Sequence, residues 1–263
     1  MNPVLEELLR TGVSPTPEGG SVPLQSHVLA DEAEFLARVV RSLRPVATLE
    51  VGLAMGCSAL VLCDAISGTA GARHVVMDPR QNAKPLWAGI GLHNLGRAGY
   101  HGLIEFHEEP SHRALARFEA QARRFDFAFL DGFHTFDHTL VDFFLVDRLL
   151  NVGGAVAFDD ADWSSVRRVV RFAATNRSYA VHAAMPPRRA GWSVPRRVYE
   201  SVRAASGVVF GAAERTPGLR RATRSFVGPE WRGIDRRLGL GGPCVVLRKV
   251  AEDSRRYDHH VEF

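Results

Sequence analysis

The feature that most restricts the fold is a rhythm. Short apolar runs, several of them β-branched, recur at 47–51 (ATLEV), 74–77 (HVVM), 103–106 (LIEF), 125–130 (FDFAFL), 155–158 (AVAF), 179–183 (YAVHA) and 244–247 (CVVL). Runs this short and this apolar suit strands covered on both faces, and the segments between most of them are long enough for crossover helices. The pattern predicts an α/β fold, doubly wound around a mostly parallel, seven-stranded sheet. Ahead of the first run, Phe35, Leu36, Val39, Val40 and Leu43 share one helical face, and Pro45 ends that helix. Further helices are expected over 58–65, 85–97, 111–122, 137–150 and 164–174, while "TGVSPTPEGGSVP" near the start reads as a loop.

The rhythm breaks between Pro186 and Pro243. This stretch holds "PPRRAGWSVPRR", a helical segment at 198–205 and repeated Gly and Pro, and it has too few large apolar residues to bury a core of its own. We therefore expect one domain: a helical lead-in over 1–45, a core over 46–185, an Arg-rich insertion over 186–242 that could form a substrate lid, and a last strand and tail over 243–263. Loops inserted on a rigid sheet commonly carry specificity.

Charge and cysteines narrow the partners. The net charge is +4, yet residues 185–240 alone hold 12 Arg against four acids, so the excess is local. No helix-turn-helix, zinc-finger or RNA-binding aromatic motif accompanies it, which argues against a nucleic-acid partner. The three cysteines, Cys57, Cys63 and Cys244, lack paired metal spacing and fit a reducing compartment, so the cytoplasm is expected. No apolar run reaches the roughly 20 residues of a membrane helix. The tail "RRYDHHVEF" suits a late edge strand or a contact between copies.

The first strand runs into "TLEVGLAMGCSALVL", with Gly52 and Gly56 four apart and Glu50 just before them. At the carboxyl ends of a doubly wound sheet such a turn would lie under a ligand, since glycine permits positive φ and close backbone approach. Asp78 ends the second strand 22 positions after Gly56, near the roughly 20-residue offset at which an acid receives ribose hydroxyls. The plainer reading, a tight turn plus a helix-capping acid, stays open on the glycines alone. Glu50 favours a cationic ligand, because a carboxylate beside the turn would repel a pyrophosphate.

"LEVGLAMGCSAL" resembles the first motif of class I S-adenosylmethionine-dependent methyltransferases, in the form used by small-molecule O-methyltransferases of the catechol and caffeoyl-CoA types and by sugar O-methyltransferases. Ala54 replaces the middle glycine of the commoner motif. The resemblance extends through "HVVMDPRQ", "GLHNLGRAGY", "IEFHEEPSHRAL", "FDFAFLDGFHTFDHTLVDFFLVDRLL" and "NVGGAVAFDD", and implies a Rossmann-like methyltransferase fold. It implies that Glu50, Gly52, Gly56 and Ser58 surround the methionine part of S-adenosylmethionine, that Asp78 binds its ribose, that Ser111 lies beside adenine and that Asp131 also serves the cofactor. Ser58 and Ser111 could equally cap helices.

Asp131 ends the fourth strand, and Asp159 and Asp160 end the fifth. In a parallel sheet these ends can be adjacent, and three carboxylates together need protonation or a cation. Mg²⁺ or another divalent ion held by Asp131, Asp159 and Asp160 is the expectation, with His134 as the base that takes a proton from the acceptor hydroxyl. Asp160 stands where the catechol-type enzymes have Asn. Phe133 stands where some sugar-modifying relatives carry a further acid, so the base is less firmly marked than the ligands. The expected activity is methyl transfer to a hydroxyl of a small molecule, a sugar or a secondary metabolite. A nicotinamide-dependent oxidoreductase and a nucleic-acid-binding protein with a degenerate cofactor site are the alternatives.

Overall fold

A computed structural model of the chain describes residues 1–187, 234–259 and 261, with isolated positions between 201 and 219. Its centre is a seven-stranded sheet built from β3 (Ala47–Val51), β4 (Arg73–Met77), β5 (Ile104–His107), β6 (Phe125–Leu130), β7 (Leu150–Phe158), β8 (Tyr179–Ala184) and β9 (Val245–Lys249). The spatial order is β5-β4-β3-β6-β7-β9-β8. Every pairing is parallel except those of β9, which runs antiparallel to both β7 and β8. The expected seven-stranded, mostly parallel sheet is therefore present.

Helices cover both faces. On one, α1 (Pro3–Thr11), α2 (Ala30–Leu43), α3 (Cys57–Ile66) and α4 (Ile90–Arg97) pack over strand residues such as Val76, Phe127, Phe129 and Val246. On the other, α5 (Ser111–Ala120), α6 (Phe136–Leu149) and α7 (Ser164–Asn176) cover Leu49, Val75, Ala128, Val156 and Leu247. Burial on both faces explains why the strands read as nearly continuous apolar runs. All five residues of β3 are buried, Glu50 and Thr48 included.

Two local readings need correction. The segment taken as a loop near the start contains a hairpin, β1 (Val13–Pro15) with β2 (Ser21–Pro23), closed by Thr16 N–H donating to the Gly20 carbonyl at 2.9 Å. Its prolines sit at strand ends, where a missing donor costs no ladder bond. The helix expected from Pro85 begins only at Ile90, because Gly89 precedes it in a left-handed conformation at φ +76°. A short helix, α8 (Ile234–Leu238), precedes β9, and the buried pair Arg171 and Asp235 (3.2 Å) ties it to α7. Residues 185–244 join β8 to β9, and the Arg-rich insertion with its helix at 198–205 lies largely outside the described residues.

The chain leaves β3 toward β4 and β5, then returns to place β6 on the other side of β3. Connections diverge there, and in open α/β sheets the ligand crevice lies at such a point, here beyond the carboxyl ends of β3 and β6. Gly52, Asp78, Asp131 and Asp159 each follow immediately on the end of a strand at that rim.

Candidate active site

The turn between β3 and α3 takes its shape from contacts within the protein. Gly52 (φ +93°) and Gly56 (φ +82°) flank Ala54, itself at φ +46°. A Cβ on Gly52 would lie 2.1 Å from the Asp131 carbonyl oxygen, and one on Gly56 would lie 2.9 Å from the Gly91 carbonyl oxygen. Both glycines are thus required where backbones meet, the first bringing β3 against the end of β6 and the second bringing α3 against α4. Asp78 clamps the same turn, accepting from Leu53 N–H (3.2 Å), Ala54 N–H (3.0 Å) and Arg80 N–H (2.8 Å). A carboxylate offers about four acceptor positions, so Asp78 keeps part of its capacity for a ligand.

Glu50 lies beneath this turn. His74 Nε2 donates to its Oε2 at 2.8 Å, both side chains are fully buried, and Glu50 Oε1 has no hydrogen-bond partner. His74 Nδ1 in turn faces Thr48 Oγ1 at 2.9 Å. Ser58 is buried at the second residue of α3, whose N-cap is Gly56.

Across the crevice an acidic cluster forms, because parallel register places adjacent strand ends side by side. Asp131 N–H donates to Val51 O at 3.0 Å and Asp159 N–H to Leu130 O at 3.1 Å, so the backbones stay hydrogen-bonded up to the site. Donor atoms of Asp131, His134 and Asp159 all lie within 4.8 Å of one another. The His134 ring Nε2 is 3.5 Å from Asp131 Oδ1 and 3.7 Å from Asp160 Oδ2, and Ser165 Oγ donates to the His134 carbonyl at 2.6 Å. Burial, then the charge of Asp159 and a hydrogen bond with it, hold the Asp131 carboxyl well above the usual range, with Glu50 and Asp160 adding to the effect. Asp159 Oδ1 is buried without a partner. Two carboxyls sharing a bond, with one oxygen left unsatisfied, suit a hard divalent ion. Asp160, expected as the third ligand, is at φ +47° with its Oδ2 3.7 Å from His134 Nε2, while the donor atoms that lie within 4.8 Å of one another are those of Asp131, His134 and Asp159.

Residues 49–161 match the family described as a methyltransferase domain. Over this segment the chain is similar to a methyltransferase domain. Among curated proteins, the tapetum-specific methyltransferase 1 of Arabidopsis thaliana is 30% identical over 139 residues, which is 52% of this chain and 55% of that protein. The chain thus spans about half the length of the curated relatives it matches. Among solved structures, an O-methyltransferase from Bacillus cereus in complex with SAH superposes with a TM-score of 0.57 at 20% identity, covering 71% of this chain and 86% of that one. The O-methyltransferase TomG from Streptomyces achromogenes, involved in tomaymycin synthesis and in complex with SAM, gives a TM-score of 0.54 at 20% identity over 68% and 81% of the two chains. At that identity the likeness is one of fold.

Two exposed aromatics neighbour the loop and helix start that follow the acidic strand ends. Phe133 is 69% exposed with its ring 5.1 Å from that of His138, and Trp163 is 53% exposed with its ring 5.5 Å from that of His134. Ser111 opens α5, and its hydroxyl is hydrogen-bonded to Asp142 of α6, a buried carboxyl that desolvation pushes up against that bond. The sequence reading passed over His74 and Asp142. For His74 a signal existed: it breaks an apolar run, and strand alternation puts it on the same face as Thr48 and Glu50 once β3 and β4 are paired with Thr48 opposite His74. Asp142 gave none, since an acid on a helix usually faces water. Among the described residues no helix is long and apolar enough to cross a membrane.

Proposed function

We propose that this chain transfers the methyl group of S-adenosylmethionine to a hydroxyl oxygen of a small molecule, a sugar or a secondary metabolite, with a divalent ion such as Mg²⁺ at the acidic cluster. The observation that carries the reading is the pairing, across one crevice of a methyltransferase domain, of the Gly52–Asp78 turn with the cluster of Asp131, His134 and Asp159. On this reading Asp78 takes the ribose hydroxyls with its remaining acceptor capacity, Ser111 lies by the adenine, and Glu50 and Asp131 face the cationic amino-acid end. The first turn of α3 at Gly56 and Ser58 flanks that same end. A bound divalent ion supplies Lewis acidity and fixes acceptor oxygens.

His134 receives the acceptor's proton as the oxygen forms its bond to the methyl carbon. The carbon–sulfur bond breaks with its electron pair going to sulfur, which leaves as a neutral thioether. Asp131 and Asp160, both within 4 Å of His134 Nε2, stabilise the resulting imidazolium. Phe133 and Trp163 line the rim and exclude water from the acceptor. A second reading has His134 as the third ligand and leaves the base to a carboxylate; the convergence of its ring nitrogen with Asp131 and Asp159 favours it.

Calorimetric titration with S-adenosylhomocysteine, first in EDTA and then with Mg²⁺, tests the proposal. One-site saturable binding is expected, followed by methyl transfer to hydroxylated acceptors in a labelled-cofactor assay. No binding by folded protein in either condition would refute it. His134→Ala separates the two readings: as base its loss spares metal affinity, and as ligand its loss weakens it.

A further inference from the structure

Thr48 and His74 have no part in the chemistry described above, yet with Glu50 they make a set of three polar side chains buried wholly inside the protein. Thr48 Oγ1 donates weakly to the Arg73 carbonyl (3.3 Å) and meets His74 Nδ1 (2.9 Å), while His74 Nε2 donates to Glu50 Oε2 (2.8 Å). Burying a carboxylate is costly unless its lone pairs are satisfied, and a buried polar set is often less stable than apolar side chains of the same volume. Here one carboxylate oxygen remains unsatisfied. Among the described residues, the ion pair that Glu50 makes is with His74 alone. Its negative charge is felt across α3: burial first and Glu50 second push the Cys57 thiol up to about 12, and they raise Cys63 as well. A fixed, buried negative charge beneath the turn, with one oxygen held free of protein donors, is built to meet a cation.

We propose that His74, backed by Thr48, is a positioning residue for the methyl donor: it holds Glu50 so that Oε1 receives the ammonium of the donor's amino-acid end. This rests on the reading given under Proposed function. It assigns a task to a strand residue that touches neither cofactor nor acceptor. Nε2 of His74 occupies one carboxylate oxygen and fixes the rotamer, so the other oxygen is aimed without an ordering cost at the moment of binding.

The test compares two ligands that share the adenosine and the sulfur but differ in the amino-acid end: S-adenosylhomocysteine and 5′-methylthioadenosine. Affinities are measured by calorimetry, with competition for the weaker ligand. His74→Leu is expected to weaken S-adenosylhomocysteine by about tenfold or more, the scale of one charge-assisted bond. It should leave methylthioadenosine within about twofold, and His74→Gln, which retains a donor, should recover most of the loss. If the leucine variant does not fold, Thr48→Val, which removes only a hydroxyl, carries the test with a smaller loss of the same selectivity. Equal weakening of both ligands would make His74 a structural residue and overturn the proposal, as would no change for either. Wild-type protein that binds neither ligand would instead defeat the functional reading itself.

Discussion

Replacing Gly52 with Ala probes the joint on which both halves of the crevice depend. The new Cβ would stand 2.1 Å from the Asp131 carbonyl oxygen, where real Cβ atoms essentially never come within 3.0 Å, so that carbonyl must retreat by about 1 Å. The residue is also at φ +93°, a conformation L side chains rarely adopt. Backbone strain of this kind costs about 1–3 kcal/mol and overpacking another 1–3 kcal/mol, for a loss of roughly 2–6 kcal/mol. Gly71 is the control: at φ +73° it has no atom within 4 Å of the added carbon, so Gly71→Ala pays only the conformational part. Urea unfolding followed by far-ultraviolet circular dichroism measures both variants. Because the displaced carbonyl belongs to Asp131, folded Gly52→Ala should also lose methyl transfer, as small misplacements of reacting groups are costly. If Gly52→Ala destabilises no more than Gly71→Ala, the close approach of β3 to β6 does not constrain the site and the reasoning fails.

Two further expectations concern charges. Arg123 grips Glu105 through two bonds of 2.6 and 2.7 Å and holds its carboxyl down from 4.5 to about 2, burial opposing and His107 assisting. A carboxyl lowered in the folded state stabilises at pH above its unfolded value, and the contribution is lost as pH falls toward its folded value. Glu105→Gln should therefore be less stable than wild type at pH 6, with the gap closing as pH drops below 4.5; a gap that stays constant from pH 6 to pH 3 would contradict the pairing. Asp159→Asn should leave S-adenosylhomocysteine binding intact while lowering divalent-ion affinity by roughly tenfold or more, the least expected when a metal's carboxylate is removed. Calorimetry with Mg²⁺ or Mn²⁺ reads this directly, and unchanged ion affinity would exclude Asp159 as a ligand.

Much of the scaffold was legible because its signals are local. Strands buried on both faces must be short and apolar, so 125–130 and 155–158 stood out, and an acid directly after such a run must lie at the sheet's carboxyl rim. That logic located Asp78, Asp131 and Asp159. The hairpin at 13–23 was missed because its pairing joins two three-residue strands whose composition is that of a turn.

The sequence by itself determined the order of the seven sheet strands along the chain, the doubly wound class and the strand ends at Val51, Met77, Leu130 and Phe158, since periodicity and turn chemistry are written residue by residue. Only the tertiary structure decided what those residues do to one another. Gly52 faces Asp131, Gly56 faces Gly91, and His74 meets Glu50 across two paired strands; these partners are 79, 35 and 24 positions apart, and no local pattern records their meeting. It also decided that His134 turns in beside Asp131 and Asp159 while Asp160 leans on His134, because the path of a loop beyond a strand end is set by what it packs against. Sequence spacing specifies the rim, and the close approach of backbones from distant segments specifies the site.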